Sequence, residues 1–480
     1  MIEVYDYVII GSGAGGSTAF FELTTKTNCK ILLLEEGELS ASDVKESSIG
    51  FVNRNLYRDA GIRPAIGSPS LTIGEGKAIG GSTEINGGLF WRTPKFILEQ
   101  WKAMGMNWSE VSRMETLFEE YEKLMGVQFE KSVSGFDSSS MLLEIGAKSL
   151  GWKCVEVPRV TNGRCIRMNK CPSGCPSGAK NSMSKTLIPI ALKMGGELKS
   201  GLKAIKIQSH QNFIEILTSN SIGITKIFRA KRLILSCGAI ETPRLLIRSG
   251  LIKRKESEVS FHANLKVFAQ FPKKIFPNRS TIFNRQIQEF IDQGLLIMGS
   301  NSLPEYFAMA STPFDEDTYQ YIMDKYEYFS LYTMQTSVNS KISFPVWPMR
   351  DMLLRVKWNQ KDIDIIKDGL KKTVKLAFSA GAISIVLPSK SAKPMAYSER
   401  IYKIIDDLDF KNLHISSVHL MSSIPLSANS KSLINDFAQL KIEPRIQLLD
   451  ASILPTYTVE SPQATVMAVV ANILRQEILQ

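Results

Sequence analysis

The chain opens on a short apolar run, "DYVII" at residues 6–10, that ends in glycine. A run this short and this continuously apolar predicts a strand buried on both faces, as in a parallel sheet. A turn and helix follow in "GSGAGGSTAFFELTTKT". "CKILLLEEG" at 29–37 reads as a second buried strand, which makes the first 37 residues β-α-β. Residues 40–70 carry no clear period. Helical spacing returns over 98–127 and 138–152, ahead of a loop rich in glycine and cysteine at 161–180. "SKTLIPIALKMGGELK" reads as a helix leading into short strands between 203 and 230, and 231–251 repeats strand, turn and helix.

The middle of the chain, 262–410, has a different texture. "NLKVFAQFP", "FSLYTMQTSV" and "DMLLRVKW" (351–358) predict strands of an antiparallel sheet, and "QKDIDIIKDGLKKTVKLAFSAG" predicts an amphipathic helix. The tail returns to strand, turn and helix. The pattern of the opening therefore recurs in the middle and at the end, which predicts an interleaved fold with one domain inserted into another.

The first turn holds the first candidate chemistry. "GSGAGG" sets Gly11, Gly13 and Gly16 in G-x-G-x-x-G register between strand and helix, with Ala14 opening the helix. The first glycine permits the tight turn, the second lets a pyrophosphate approach the backbone, and the third allows close packing of helix on strand. The helix N-terminus offers N–H groups and partial positive charge to phosphate. Glu35 lies about 20 residues further on, where an acid can accept from ribose hydroxyls. These features predict dinucleotide binding without separating FAD from NAD.

Three further segments carry a resemblance. "GKAIGGSTEINGGLFWRTP" (76–94), "CGAIETPRLLIRSGL" (237–251) and "LLDASILPTYTVESPQATVMA" (448–468) are similar, in that order, to the signatures of the GMC (glucose–methanol–choline) oxidoreductases, FAD-dependent enzymes that oxidise alcohols. The resemblance implies cofactor contacts at Gly76, Gly80, Gly81, Ser82, Asn86, Gly238, Asp450, Ala451 and Pro462, although Asp450 could equally be a turn or capping residue. It implies an α/β fold in which a Rossmann-type FAD-binding domain is interleaved with an α+β substrate domain carrying an antiparallel sheet. On that reading 1–95, 196–260 and 413–480 bind FAD. Section 96–195 holds the helical and cysteine-loop part of the substrate region, and 261–412 holds the sheet. No histidine or cysteine lies in reach just before Gly76, so the FAD is expected to be non-covalent.

The resemblance also implies a base. Family members carry a histidine in a Ser-x-His motif upstream of the C-terminal segment, and "SSVHLMSS" (416–423) puts His419 there. An imidazole suits proton removal near neutral pH. If 413–421 is extended, His414 and His419 point to opposite faces, which leaves His414 structural; His210 and His262 carry no motif. The family's second His or Asn aligns with Ser461, which can still donate a hydrogen bond but reaches less far. The family's Gly-x-Cys-x-Met-Gly run is "SSIPLS" here. The expected function is hydride transfer from the CH–OH group of a sugar, aminoglycoside or sterol-like alcohol to the flavin, with an impaired flavoprotein of structural or interaction role as the alternative.

Cys165, Cys171 and Cys175 cluster in "CIRMNKCPSGCPSGAK". Three sulfurs fall short of a zinc site's four ligands, so no metal is expected. A packing loop is the expectation ahead of an iron–sulfur cluster like that of some sugar-oxidising relatives. The net charge of +11 comes from scattered basic residues rather than a stripe, which argues against nucleic acid. No apolar run approaches the ~18 residues that span a bilayer. The N-terminus has no secretory pattern, and the expected location is the cytoplasm. The expected partners are a small-molecule alcohol and an electron acceptor that has no signature in the sequence.

Overall fold

A computed structural model describes residues 3–44, 48–133, 136, 138–253, 257–344 and 353–478. In chain order, the elements that carry the site begin with strand β1 (Val4–Ile10), helix α1 (Ala14–Lys26) and strand β2 (Ile31–Leu34). Strands β3 (Glu197–Lys199) and β4 (Thr225–Leu235) and helix α2 (Gly238–Arg248) follow. Four long-range strands come next: β5 (Glu258–Gln270), β6 (Arg285–Ile287), β7 (Leu295–Ser300) and β8 (Phe329–Ser337). Helix α3 (Gln360–Ser379), strands β9 (Ile415–Ser417), β10 (Leu420–Met421) and β11 (Glu443–Leu448), and helix α4 (Gln463–Ile478) complete the set.

The first sheet has a parallel core in the order β11-β4-β1-β2-β3. Its central strands are apolar on both faces because helices cover both; Val8, Ile9 and Leu32 to Leu34 are fully buried. The second sheet is mixed and mostly antiparallel, and it is built around β5, which pairs with β8 on one side and with β9 and β10 on the other. Strands Arg63–Ile66 and Leu71–Ile73 also join it.

The strand expected at 351–358 is observed as Leu354–Lys357, and its first two residues lie outside the described ones. The period over 98–127 resolves into two helices, Lys95–Ala103 and Val111–Met125. Among the described residues no helix is long and apolar enough to cross a membrane.

Strand β5 shows how the sheet makes two environments. Its odd positions, Phe261, Ala263, Leu265 and Val267, enter the apolar core under α3. Its even positions, His262, Asn264 and Lys266, face the other way. One face therefore builds the fold while the other is free to carry chemistry.

Helices α1, α4 and Val111–Met125 are tied by one guanidinium. Arg475 on α4 makes two hydrogen bonds to Glu22 on α1, at 2.6 and 2.9 Å, and two to Glu120, at 2.6 and 2.8 Å. The Tyr121 hydroxyl donates to Glu22 at 2.6 Å. Glu22 is fully buried, so removing its bidentate partner leaves a desolvated carboxylate. Arg475→Met should lower unfolding stability by about 3 kcal/mol, read as a fall in the urea midpoint. An unchanged midpoint would show that the cluster is not what holds these helices together.

Candidate active site

The two sheets enclose a cavity of about 590 Å³. It runs from the glycine loop after β1 to the polar face of β5 and β8. Of the residues singled out in the sequence, Gly11, Gly13, Ala14, Glu35, Gly76 and Gly81 line it at the first end. Ser82, Asn86, Gly238, Asp450, Ala451 and Pro462 line its length, and His419 and Ser461 line its far part. Gly16 and Gly80 stand behind the wall, where they permit packing.

The glycine loop is built by close backbone contact. Gly11 has φ +98°, and a side chain on Gly16 would sit 1.8 Å from the Gly11 carbonyl oxygen. Gly13 differs, because a Cβ there would meet nothing within 4 Å. It faces the cavity, at the start of an α1 that has neither a side-chain cap nor an acid in its first turn. That leaves a positive helix end open to an anion.

Glu35 does more than the sequence suggested. Its Oε2 accepts from the Ser12 N–H at 2.8 Å and from the Ser12 hydroxyl at 2.6 Å, and Oε1 accepts from the Gly37 N–H at 2.8 Å. The carboxylate therefore holds the glycine loop in place as well as lining the cavity. The next residue, Glu36, pairs with Arg58 at 3.0 Å and Lys203 at 3.6 Å. Asp450 is likewise a capping residue: Oδ1 accepts from the Ser452 N–H at 2.7 Å, and Oδ2 accepts from the Gly238 N–H at 2.8 Å and the Thr242 hydroxyl at 2.5 Å. Asn86 is aimed by two contacts, donating to Gln463 Oε1 at 2.6 Å and accepting from the Gly88 N–H at 3.0 Å.

These features fit a dinucleotide. The cavity has the volume of a cofactor site. Its wall at Gly13 and Gly238 is open, since a Cβ at either position would meet nothing within 4 Å. An uncapped helix end faces it at one end, and polar side chains face it at the other.

His419 sits where the second sheet closes on the cavity. Residues 413–421 are not one strand: β9 ends at Ser417 and β10 starts at Leu420, with Val418 exposed between them. His414 is directed elsewhere, against Phe314, with its N–H donating to the Pro388 carbonyl. The residue that the sequence reading missed is His262. Its ring meets that of His419 edge-on, Nδ1 to Nδ1 at 3.2 Å, and its own N–H donates to the His419 carbonyl at 3.2 Å. His262 is fully buried, and its Nε2 has no partner among the described residues. Burial pushes the His419 pKa down to about 4, and burial with the neighbouring ring holds His262 well below the usual range. Both rings are neutral at neutral pH, and the contact is a hydrogen bond when one of the two Nδ1 atoms carries its ring's hydrogen. The available signal was the alternation Phe261-His262-Ala263-Asn264-Leu265-Lys266, which puts His262 on the polar face of its strand.

Glu460, just before Ser461, was also missed. It is 2% exposed, and its Oε1 accepts from Gln286 at 2.8 Å and from Gln288 at 2.9 Å. Burial pushes its pKa up to about 8. The cysteine loop stays apart from this chemistry: Cys171 Sγ accepts from Arg159 at 3.2 Å and Cys175 Sγ from the Lys180 N–H at 3.3 Å. Among the described residues no group of three His, Cys, Asp or Glu side chains could hold a metal ion.

Comparison with known proteins agrees with this architecture. Two family models described as GMC oxidoreductase match the chain, the N-terminal one over residues 53–268 and the C-terminal one over 347–469. An uncharacterized GMC-type oxidoreductase, y4nJ, of Sinorhizobium fredii is 25% identical, with 98% of this chain and 93% of that protein covered. The long-chain-alcohol oxidase FAO3 of Arabidopsis thaliana is 24% identical, with 96% of this chain and 66% of its own length covered. The crystal structure of pyridoxine 4-oxidase from Mesorbium loti has the same fold, with a TM-score of 0.75 at 14% identity over 99% of both chains.

Glu460 gives the site a pH signature. A carboxyl whose folded pKa lies above its usual ~4.3 stabilises the fold while protonated, and that stability is lost as pH rises through the folded value. Between about pH 5 and pH 9 the wild-type protein should lose stability that Glu460→Gln retains. Urea midpoints measured across that range check this, and parallel curves for the two proteins would contradict it.

Proposed function

The chain belongs to the GMC oxidoreductase family, and from that premise we propose that it binds FAD non-covalently and oxidises the CH–OH group of a polar alcohol. The observation that carries the reading is His419: a neutral, desolvated imidazole in the wall of a cavity that fits a dinucleotide. When bound, FAD supplies a two-electron acceptor for the hydride that leaves the carbinol carbon.

The chain's own groups handle binding and the proton. The uncapped start of α1 would hold the pyrophosphate, and Glu35 fixes the loop that leads into it. His419 takes the hydroxyl proton as the carbonyl forms, so the alcohol loses one hydride and one proton in all. Its Nε2 can do so only if Nδ1 carries the ring hydrogen and donates it to Nδ1 of His262. His262 is then a positioning residue that sets the tautomer of the base. Ser461 lies in the same wall and donates a hydrogen bond to the substrate oxygen. A neutral Glu460 behind it adds no negative charge that would oppose proton removal. The plant relative named above is, by its name, a long-chain-alcohol oxidase; here Asn264, Gln286, Thr333 and Gln335 line the cavity among apolar side chains such as Trp91, Phe283 and Met298. The four polar side chains offer hydrogen bonds to a hydroxylated substrate such as a sugar or aminoglycoside.

Two variants test the assignment. Under anaerobic conditions a substrate alcohol should bleach the flavin band near about 450 nm in the wild-type protein. His419→Ala should slow bleaching by about a thousandfold while retaining FAD; bleaching at the wild-type rate would remove His419 as the base. His262→Leu should keep FAD and lower the bleaching rate constant about tenfold or more with little change in apparent affinity. A variant as fast as wild type would mean that His262 does not set the tautomer. A protein that holds FAD and is bleached by no alcohol would be a flavoprotein without this activity.

A further inference from the structure

Most cations lining the cavity are matched. Arg58 and Lys203 pair with Glu36, and Arg248 donates to the Ala204 carbonyl. Lys266 is different. It lines the cavity from the polar face of β5, and among the described residues its side chain has neither a hydrogen bond nor an ion pair. Its neighbours on that face, Asn264 and Phe268, carry no charge. Across the sheet it stands directly opposite Thr333 of β8, which is followed by Met298 of β7. Thr333 lines the same cavity, and its hydroxyl, buried just behind that wall, has no partner. Glu460, the acid at this end of the cavity, is neutral and held by two glutamines.

A buried hydroxyl without a partner is costly, and a half-buried ammonium on a cavity wall with no acid beside it favours an anion there. Burial alone holds the Lys266 ammonium below its usual pKa, with no acid opposing the shift. Facing positions in an antiparallel pair bring Cβ atoms to about 5 Å, close enough for both donors to reach one oxygen-bearing group. We propose that Lys266 and Thr333 form an oxyanion subsite, so that the alcohol oxidised at His419 carries a carboxylate or a phosphate monoester. This rests on the alcohol-oxidation reading above and narrows it.

The strand supplies the spacing. His262, which touches the base, is four residues from Lys266 on β5, a rise of about 13 Å. Both His419 and Lys266 line the cavity, and a span of that order suits a sugar-sized molecule with its hydroxyl at His419 and its acid group at Lys266. A hydroxy acid derived from a sugar, or a sugar phosphate, has that form.

The test uses the FAD-loaded full chain with three probes: glucose, gluconate and glucose 6-phosphate. Anaerobic flavin bleaching by at least one of the two acids should exceed that by glucose about tenfold in kcat/KM. Lys266→Met should erase this advantage through KM, with kcat and FAD content retained, and Thr333→Val should weaken it less. Whichever acid is preferred identifies the oxyanion as carboxylate or phosphate. In parallel, gluconate or inorganic phosphate should raise the melting temperature of the wild-type protein and not of Lys266→Met, a readout that needs no turnover. Equal bleaching by glucose and both acids, or an acid preference that survives Lys266→Met, would overturn the subsite while leaving alcohol oxidation standing. An anion-dependent melting shift without bleaching by any alcohol would do the reverse. Equal melting shifts in both proteins would also overturn the subsite.

Discussion

The cavity exists because two buried carboxylates hold backbone segments from distant parts of the chain against one another. Glu35 holds the glycine loop through Ser12 and the following turn through Gly37. Asp450 holds the start of α2 through Gly238 and Thr242, and its own turn through Ser452. Each replaces water on backbone N–H groups that would otherwise be buried unpaired, while burial pushes the pKa of both carboxyl groups up. The packing is so close that a methyl group on Gly15 would sit 2.1 Å from the Leu449 carbonyl oxygen. The glycine loop and the turn at Asp450 are thus one rigid assembly. The second sheet closes over it with a strand whose polar face was left free by the core on its other side.

The electrostatics follow from the same enclosure. Buried guanidinium groups beside the first half of the cavity are matched with acids. Arg63 joins Glu75 at 2.5 Å and Glu241 at 2.6 Å, clamping the second sheet to α2, and the surrounding guanidinium groups hold Glu241 well below the usual carboxylate range. In the second half, groups that could be charged are instead neutral, namely His262, His419 and Glu460, while Lys266 has no counter-charge. On the function proposed above, the first half would hold the anionic cofactor and the second would receive the substrate and take a proton from it.

Much of this was legible in the sequence where a function depends on local spacing. The glycine loop, the strand before it and the turn at 76–86 are contiguous motifs, and they are found around one cavity. His419 could be placed there because the family motif is short and local. The pairing with His262 was not legible, since 157 positions separate the two rings and only the register of β5 against β10 brings them together. The alternation along β5 marked His262 as facing away from the core, but alternation does not say what a face meets. Glu460 was hidden for another reason: its pKa is raised by burial, and the segment that encloses it, with Gln286 and Gln288, is distant in the chain. The extended segment expected at 413–421 fails at Val418, where the chain leaves one strand pairing and enters another.

What occupies the cavity between the glycine loop and His419 decides the chemistry of the site. The absorption spectrum of the purified protein, followed by identification of what denaturation releases, tests this most directly. The prediction is a flavin band near about 450 nm and one FAD released per chain. A protein that purifies without flavin, and whose melting temperature does not change when FAD is added, would contradict it.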